Sequence, residues 1–268
     1  DAVPPAHAAA TGADLARRFA NSGAVLFYGS VLRTGDVEGV MDFYVLTTAA
    51  RSGLRGLAGR VLWPDVSYHE FEADGRVYRA KVASMTVAQF SRAVTGKGLD
   101  TTIWTRFVQP SALVWSLNAE VAGQVRLAVA QAAIAAARFA AVVGPAQGAP
   151  QAYWTALFRQ TYAAEFRVEA RGREVQIIAN APERYDAILP AAWEAGDVPY
   201  ESDAGQLRPR LGEAERRRVL RAWRLRRTLG KPLNLARLVK AAFTFEGAGR
   251  YAAWKIERHT GVAIAVTP

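Results

Sequence analysis

Two short apolar runs near the start of the chain are separated by a glycine-containing loop. The first, residues 24–30, reads AVLFYGS, and the second, residues 40–47, reads VMDFYVLT. Short apolar runs bounded by glycines and threonines predict two β-strands. Farther on, residues 66–85 alternate apolar and polar positions on both sides of Asp74-Gly75, which predicts a β-hairpin.

Helical spacing dominates the rest of the chain. It predicts helices over residues 12–21, 86–95, 115–164 with a break at 144–150, and 213–229. A second hairpin is predicted at 166–179, and residues 182–210 are interpreted as irregular or loosely helical.

The order of these elements predicts the α+β class, with a mixed sheet and helices first and mainly helices later. We expect a sheet-containing domain at residues 1–114. A mainly helical second domain with the short hairpin is expected at 115–240, and a basic C-terminal segment at 241–268.

The amino-acid composition excludes some kinds of functional site and favours others. Among its 268 residues the chain has no cysteine and three histidines, and its net charge is +10. The lack of cysteine excludes disulfides, thiolate metal sites and a cysteine nucleophile. The charge favours anionic partners such as nucleotides, nucleic acid or acidic lipid surfaces. A GC-rich genome, which favours arginine and alanine, explains the same charge without any partner.

The longest apolar helix candidate lies at residues 124–143, and no signal peptide is recognised. Arg126, Gln131 and Arg138 interrupt this mostly alanine run, so we interpret it as a buried core helix rather than a membrane span. We therefore expect a protein that is soluble or lies on a membrane surface.

The first two predicted strands carry a candidate phosphate site. Gly29 and Ser30 end the first strand, and Asp42 is the one acid in the second. Glycine allows close approach of phosphate to the backbone, serine donates a hydrogen bond, and a strand carboxylate can hold Mg²⁺. A turn followed by an edge-strand acid is the ordinary structural alternative.

Further motifs in the same order are similar to the mitochondrial-type phosphatidate cytidylyltransferases, the translocator assembly and maintenance proteins of the nucleotidyltransferase superfamily. That family also has a single acid in the second strand. The matching strings are YGS at residues 28–30, MDF at 41–43, DGRVYR at 74–79, WTRFVQP at 104–110, YAAEFR at 162–167 and the basic region 240–255. Val31, Gln109 and Ala164-Glu165 depart from the family pattern, which suggests a divergent bacterial member.

The resemblance implies a nucleotidyltransferase-type fold and the Mg²⁺-dependent reaction of CTP with phosphatidic acid, giving CDP-diacylglycerol and pyrophosphate. It implies that Gly29 and Ser30 grip the CTP phosphates. It also implies that Asp42 holds the metal, with Glu165 as the first candidate for a second carboxylate. Arg79 or Lys81 would neutralise the CTP phosphates, and Arg106 and Arg167 would lie around the acceptor phosphate or the metal. Asp36, Glu70 and Glu72 are alternative second acids.

The basic end of the chain has three interpretations. Arginines 216–227 are interleaved with Leu220 and Trp223, and residues 237–258 continue the pattern. An anionic membrane surface, RNA phosphates or the outer face of a helical bundle all suit such a segment. We expect a peripheral enzyme on the cytoplasmic face of the bacterial membrane, with no nucleic acid partner. The alternatives are a nucleotidyltransferase acting on RNA or protein, and an inactive RNA-binding module.

Overall fold

The computed structural model describes residues 2–36, 39–50, 62–73, 75–164 and 172–260. Within these ranges the elements follow the order α1 (Ala6–Arg18), β1 (Ser22–Tyr28), α2 (Ser30–Thr34), β2 (Val40–Thr47), β3 (Asp65–Ala73), β4 (Arg76–Thr86), α3 (Val87–Ala93), α4 (Thr102–Val108), β5 (Ser111–Ser116), α5 (Ala119–Val143), α6 (Pro150–Ala164), α7 (Arg173–Ala179), α8 (Pro182–Ala195), β6 (Tyr200–Asp203), β7 (Gln206–Pro209), α9 (Glu213–Thr244) and α10 (Ala248–Thr260).

The described strands β1 to β5 form one mixed sheet in the order β3-β4-β2-β1-β5. β1 is antiparallel to β2 and β5, β3 is antiparallel to β4, and β2 runs parallel to β4. Strands β6 and β7 form a separate hairpin. The predicted α+β class, with a mixed sheet first and a mainly helical later part, is confirmed.

The chain divides into two compact units. One comprises Asp1–Ala88, Pro110–Gly123 and Ala236–Pro268, and the other comprises Gln89–Gln109 and Gln124–Leu235. This division differs from the contiguous segments expected from the sequence. The C-terminal residues join the first unit because the backbone N–H of Tyr68 on β3 donates to the carbonyl of Glu246 at 2.8 Å.

The core of the first unit lies between the sheet and α1. Alternate strand residues such as Phe27, Phe43 and Val82 are fully buried there, against Leu15 of α1. Alternation along a strand sends the intervening residues to the opposite face. That opposite face carries the polar residues on which the candidate site depends.

The second unit packs around aromatic side chains. The ring centroids of Trp104 and Phe139 are 5.0 Å apart, and those of Phe139 and Trp223 are 5.4 Å apart. Elsewhere the indole of Trp193 donates to the carbonyl of Ala137 at 2.8 Å. The indoles of Trp104 and Trp193 contribute apolar area and also find acceptors for their polar ends, whereas the buried Nε1 of Trp223 makes no hydrogen bond to any described residue.

Arg226 of α9 is part of this core, since only 4% of it is exposed. Its guanidinium carbon lies 4.7 Å from the Phe139 ring centroid. It donates to the carbonyl of Gly98 at 3.1 Å and to the carbonyl of Gly96. Burial lowers the pKa of this guanidinium from its ordinary value. One arginine of the basic run therefore packs inside the unit.

The second predicted hairpin is wrong where the structure tests it. The arm expected at residues 173–179 is helix α7, and residues 165–171 lie outside the described residues. A strand would send the consecutive residues Ile177 and Ile178 to opposite faces. The helix instead buries both, each at 4% exposure, with α6 and α8 as its neighbours.

Other sequence predictions hold with shifted bounds. The first two strands and the hairpin arms are confirmed as β1 to β4, and the break at 144–150 is confirmed between α5 and α6. Strand β5 was not predicted, and residues 182–195 form a regular helix whose first residue is Pro182.

Among the described helices, α5 alone is long and apolar enough to cross a membrane by length and composition. In its most apolar stretch 61% of the residues are buried within the protein. Length and composition therefore do not by themselves identify it as a membrane span.

Replacing Arg226 tests its structural role. We expect Arg226→Ala to lower the free energy of unfolding by about 2–4 kcal/mol, since the carbonyls of Gly96 and Gly98 lose their donor and an aromatic ring loses its neighbour. Arg227→Ala, at the exposed adjacent position, should change it by less than about 0.5 kcal/mol. Chemical denaturation followed by circular dichroism measures both, and equal losses would contradict the assignment.

Candidate active site

The Gly-Ser turn joins β1 to α2. Gly29 has φ 96° and ψ −163°, a region that residues with a Cβ rarely adopt. A Cβ added there would lie 2.5 Å from Oδ2 of Asp42 and 3.1 Å from its Cβ. Backbone conformation and the neighbouring carboxylate therefore both require glycine at position 29. Ser30 follows as an exposed residue.

Strand register places Asp42 beside this turn. Asp42 pairs with Tyr28 at the end of β1 and with Lys81 in β4. Its neighbours Met41 and Phe43 are buried against the α1 side of the sheet. Because alternate residues point to opposite faces, the half-buried Asp42 and Lys81 share the other face. The turn, a carboxylate and an ammonium group thus lie together on one face of the sheet, near the C-terminal end of β1.

Arg79 extends this polar face along β4, two residues before Lys81. Its Nε lies 3.8 Å from Oε1 of Glu70 on β3, and its Nη1 donates to the carbonyl of Val77 at 3.4 Å. Nε is buried and makes no hydrogen bond to any residue that the structure describes. A buried donor without an acceptor is unfavourable by about 1–3 kcal/mol. A ligand oxygen would satisfy this donor.

Tyr68 of β3 was not identified from the sequence, and its neighbour Glu70 was named there only as an alternative second acid. The Tyr68 hydroxyl donates to Oε1 of Glu70 at 3.0 Å. Burial, and then this bond, raise the pKa of Tyr68, so it remains a neutral donor. The turn predicted at Asp74-Gly75 implies, by counting outward, that Glu70 pairs with Arg79 and Tyr68 with Lys81, and the structure has both pairs.

Arg106, Glu165 and Arg167 are the remaining site residues predicted from the sequence. Arg106 lies half-buried on α4, in the second unit. Glu165 and Arg167 lie outside the described residues. The structure therefore gathers Gly29, Ser30, Asp42, Arg79 and Lys81, and leaves the predicted roles of the other three as predictions.

The residues of the candidate site suit a metal ion only if substrate phosphates and water complete its coordination. Among the described residues, no group of three or more histidine or acidic side chains is placed to hold a metal ion. Glu70 lies two strands from Asp42, about 10 Å away at ordinary strand spacing. Magnesium is commonly held by one or two carboxylates together with substrate phosphates and water. Asp42 beside the Gly-Ser turn suits that arrangement.

Comparison with known proteins does not assign this chain to a family. No family model matches the sequence, and no curated protein matches it either. Among solved structures, the chain is similar to a nucleotidyltransferase-like protein from Exiguobacterium sibiricum 255-15, at 8% identity and a TM-score of 0.29. The alignment covers 94% of this chain and 79% of that one. A similarity of this degree carries no argument about activity.

Alanine at position 29 tests the contact with Asp42. We expect Gly29→Ala to lower the free energy of unfolding by about 2–4 kcal/mol, because the Cβ adds a collision to an unfavourable φ. Chemical denaturation measures the loss.

Gly35 provides the matched control. It closes α2 at φ 71°, and a Cβ there would have no neighbour within 4 Å. Gly35→Ala should therefore cost only the backbone term, about 1–2 kcal/mol. In an Asp42→Ala background the loss from Gly29→Ala should shrink but not vanish, because the Cβ at position 42, 3.1 Å away, and the φ of 96° both remain. An undiminished loss would show that the carboxylate is not what excludes a side chain.

Proposed function

We propose that this protein is a nucleotidyltransferase whose nucleoside triphosphate binds where β1 ends. The observation supporting this is the close packing of the Asp42 carboxylate against the backbone of Gly29, with Lys81 paired to Asp42 on the next strand. A turn without a Cβ lets phosphate oxygens reach backbone donors. A carboxylate held at the same point suits the cation that accompanies a triphosphate.

In the proposed reaction an acceptor oxygen attacks the α-phosphorus of the nucleotide. The bond from that phosphorus to the bridging oxygen breaks, and pyrophosphate leaves with the electron pair. Gly29 and Ser30 would donate to phosphate oxygens, while Lys81 and Arg79 would neutralise the negative charge that develops. Asp42 would hold Mg²⁺, which when bound screens charge on the phosphates.

For the nucleotide and acceptor we propose CTP and phosphatidic acid, giving CDP-diacylglycerol. The ordered motifs shared with the phosphatidate cytidylyltransferases support this choice. A phosphate monoester is largely ionised at neutral pH, so the acceptor needs no strong general base. Arg106 and Arg167 are proposed to bind near the acceptor phosphate, and Glu165 to join Asp42 at the metal.

A lipid acceptor requires contact with a membrane, and helix α9 offers a suitable surface. Residues 225–243 of this helix include a set of large, exposed apolar side chains of a kind that most folded proteins would cover. The exposed members of this apolar stripe are Leu225 (50%), Leu229 (39%), Leu235 (58%), Val239 (53%) and Phe243 (83%). Successive members are four, six, four and four residues apart, and at 3.6 residues per turn they fall within an arc of about 120° on one side of the helix.

Exposed arginines precede the apolar stripe on α9, among them Arg217, Arg218 and Arg221. An apolar stripe beside cations is the pattern of helices that lie in the interface of an anionic bilayer. RNA phosphates would be attracted by the arginines alone and would leave the aliphatic side chains uncovered. The stripe therefore favours lipid over RNA, and we propose that the protein acts on the cytoplasmic face of the bacterial membrane.

Enzymatic assay with all four nucleoside triphosphates tests the main proposal. With CTP, Mg²⁺ and phosphatidic acid in vesicles, we expect CDP-diacylglycerol and pyrophosphate. Asp42→Asn should lower the rate by at least about 100-fold, since the metal loses its carboxylate. Asp14→Asn, on α1 at the other face of the sheet, should leave it unchanged. Failure of every nucleotide to give a nucleotide-linked lipid would refute the lipid reaction. Labelling of RNA or protein instead would favour the other transferases.

Vesicle co-sedimentation tests the membrane surface. We expect binding to vesicles rich in phosphatidic acid, weaker binding to neutral vesicles, and a decrease as salt rises. Phe243→Asp should weaken vesicle binding about tenfold or more, since one large side chain no longer enters the apolar layer. Leu127→Asp is the control, because Leu127 is 72% exposed on α5, outside the stripe. Equal effects of the two changes would argue against α9 as the docking helix.

A further inference from the structure

The C-terminal helix α10 belongs to the same unit as the candidate site. The chain before it lies beside β3, where Tyr68 N–H donates to the Glu246 carbonyl at 2.8 Å. The Tyr68 and Tyr251 ring centroids are 5.4 Å apart. A Cβ added at Gly247, where φ is 79°, would lie 2.6 Å from the Tyr68 carbonyl oxygen. Both the strand-like contact and the ring packing thus fix the start of α10 against the sheet.

One tryptophan of α10 gathers two guanidinium groups. The guanidinium carbon of Arg79 lies 5.7 Å from the Trp254 ring centroid, and that of Arg258 lies 5.4 Å from it. Such distances permit cation–π attraction for each group. Two cations held near one ring repel each other, and each has a carboxylate within ion-pair distance: Glu70 for Arg79 and Asp36 for Arg258.

The pair between Arg258 and Asp36 is weakly held. Its closest approach is 3.5 Å, and the two side chains are 43% and 47% exposed. Exposed pairs of this kind contribute little, because water screens the charges and two long side chains must be ordered to form them. Asp36 lies between α2 and β2, and its carbonyl accepts from the Gly39 N–H at 3.3 Å. Arg258 therefore contacts the segment that connects the Gly-Ser turn to the strand of Asp42.

We propose that Arg258 binds a phosphate group of the nucleoside triphosphate. When the nucleotide binds, the Arg258 guanidinium leaves its ion pair with Asp36 and pairs with that phosphate instead. This inference rests on the proposed nucleotidyltransferase function. A triphosphate offers more negative charge than one carboxylate, and guanidinium groups bind phosphate in paired, charge-assisted hydrogen bonds. Arg79, on the same ring, has a buried Nε without an acceptor among the described residues. An oxygen of the same triphosphate would accept a hydrogen bond from this Nε.

Trp254 acts as a positioning residue in this arrangement. Its ring keeps both guanidinium groups near the polar face of the sheet while Arg258 changes partners. Asp36 acts as a competitor, because it holds Arg258 only until phosphate arrives. Opposite effects follow for the two members of the pair: loss of the arginine weakens nucleotide binding, whereas loss of the carboxylate strengthens it.

Equilibrium dialysis with CTP, in the absence of any acceptor, measures these effects. We expect Arg258→Gln to raise the Kd for CTP about tenfold, and Arg258→Lys to raise it less, because lysine keeps the charge without the paired donors. Asp36→Asn should lower the Kd about two- to threefold, a gain within the small range of exposed ion pairs. Trp254→Leu should raise the Kd. The changes should persist in EDTA, which excludes loss of a metal ligand as their cause.

Arg17→Gln is the matched control, since it removes an exposed ion pair with Asp14 on α1, at the other face of the sheet. It should leave the Kd unchanged, and thermal unfolding should show that all variants fold as the parent does. If Arg258→Gln and Asp36→Asn shift the Kd in the same direction, or neither shifts it, the exchange is refuted. If the parent protein binds neither CTP nor any other nucleoside triphosphate, the proposed function fails as well.

Discussion

The contact between the Asp42 carboxylate and the backbone of Gly29 is the constraint on which the site depends. It exists because β1 and β2 pair with Asp42 opposite Tyr28. A register shift of one residue would move Asp42 into the apolar layer beneath α1 and bring Phe43 to the polar face. The burial of Phe27 and Phe43 thus secures the position of a polar group one residue away. The packing of the buried face and the position of Asp42 on the polar face therefore both depend on the same strand register.

Local patterns were sufficient for much of the first unit. Strands β1 to β4 are marked by apolar alternation and by Asp74-Gly75, and these signals lie within a few residues of the structure they specify. The pairing of Glu70 with Arg79 follows from the same turn by counting outward. Residues 173–179 show the limit, because VQIIA fits a strand or a short helix equally well. The segment is a helix in the structure, where the neighbouring helices α6 and α8 cover both isoleucines.

Contacts between distant parts of the chain could not be predicted. Arg226 looks like its neighbours in a run of arginines, and only the tertiary structure shows it under Phe139 with two carbonyls as partners. The approach of Trp254 to Arg79 spans most of the sequence. Pattern rules report which face of an element is apolar, not which other element covers it. Composition therefore assigned the whole basic end to one surface, whereas the structure divides it between a packed face, an apolar stripe and the neighbourhood of the sheet edge.

Under the proposed function, the lone acid of β2 and the surrounding cations favour a phosphate rather than a hydroxyl group as the acceptor. Positions 40 and 44, on the face of Asp42, hold Val40 and Tyr44, so β2 contributes no second acid to activate a nucleophile. A hydroxyl acceptor must lose its proton as it attacks, and a base or second metal normally assists it. A phosphate acceptor already carries its charge. In the proposed reaction the obstacle is repulsion between the acceptor phosphate and the triphosphate, which Lys81, Arg79 and Arg258 are proposed to reduce. A site with one acid and several cations is thus consistent with joining two phosphates.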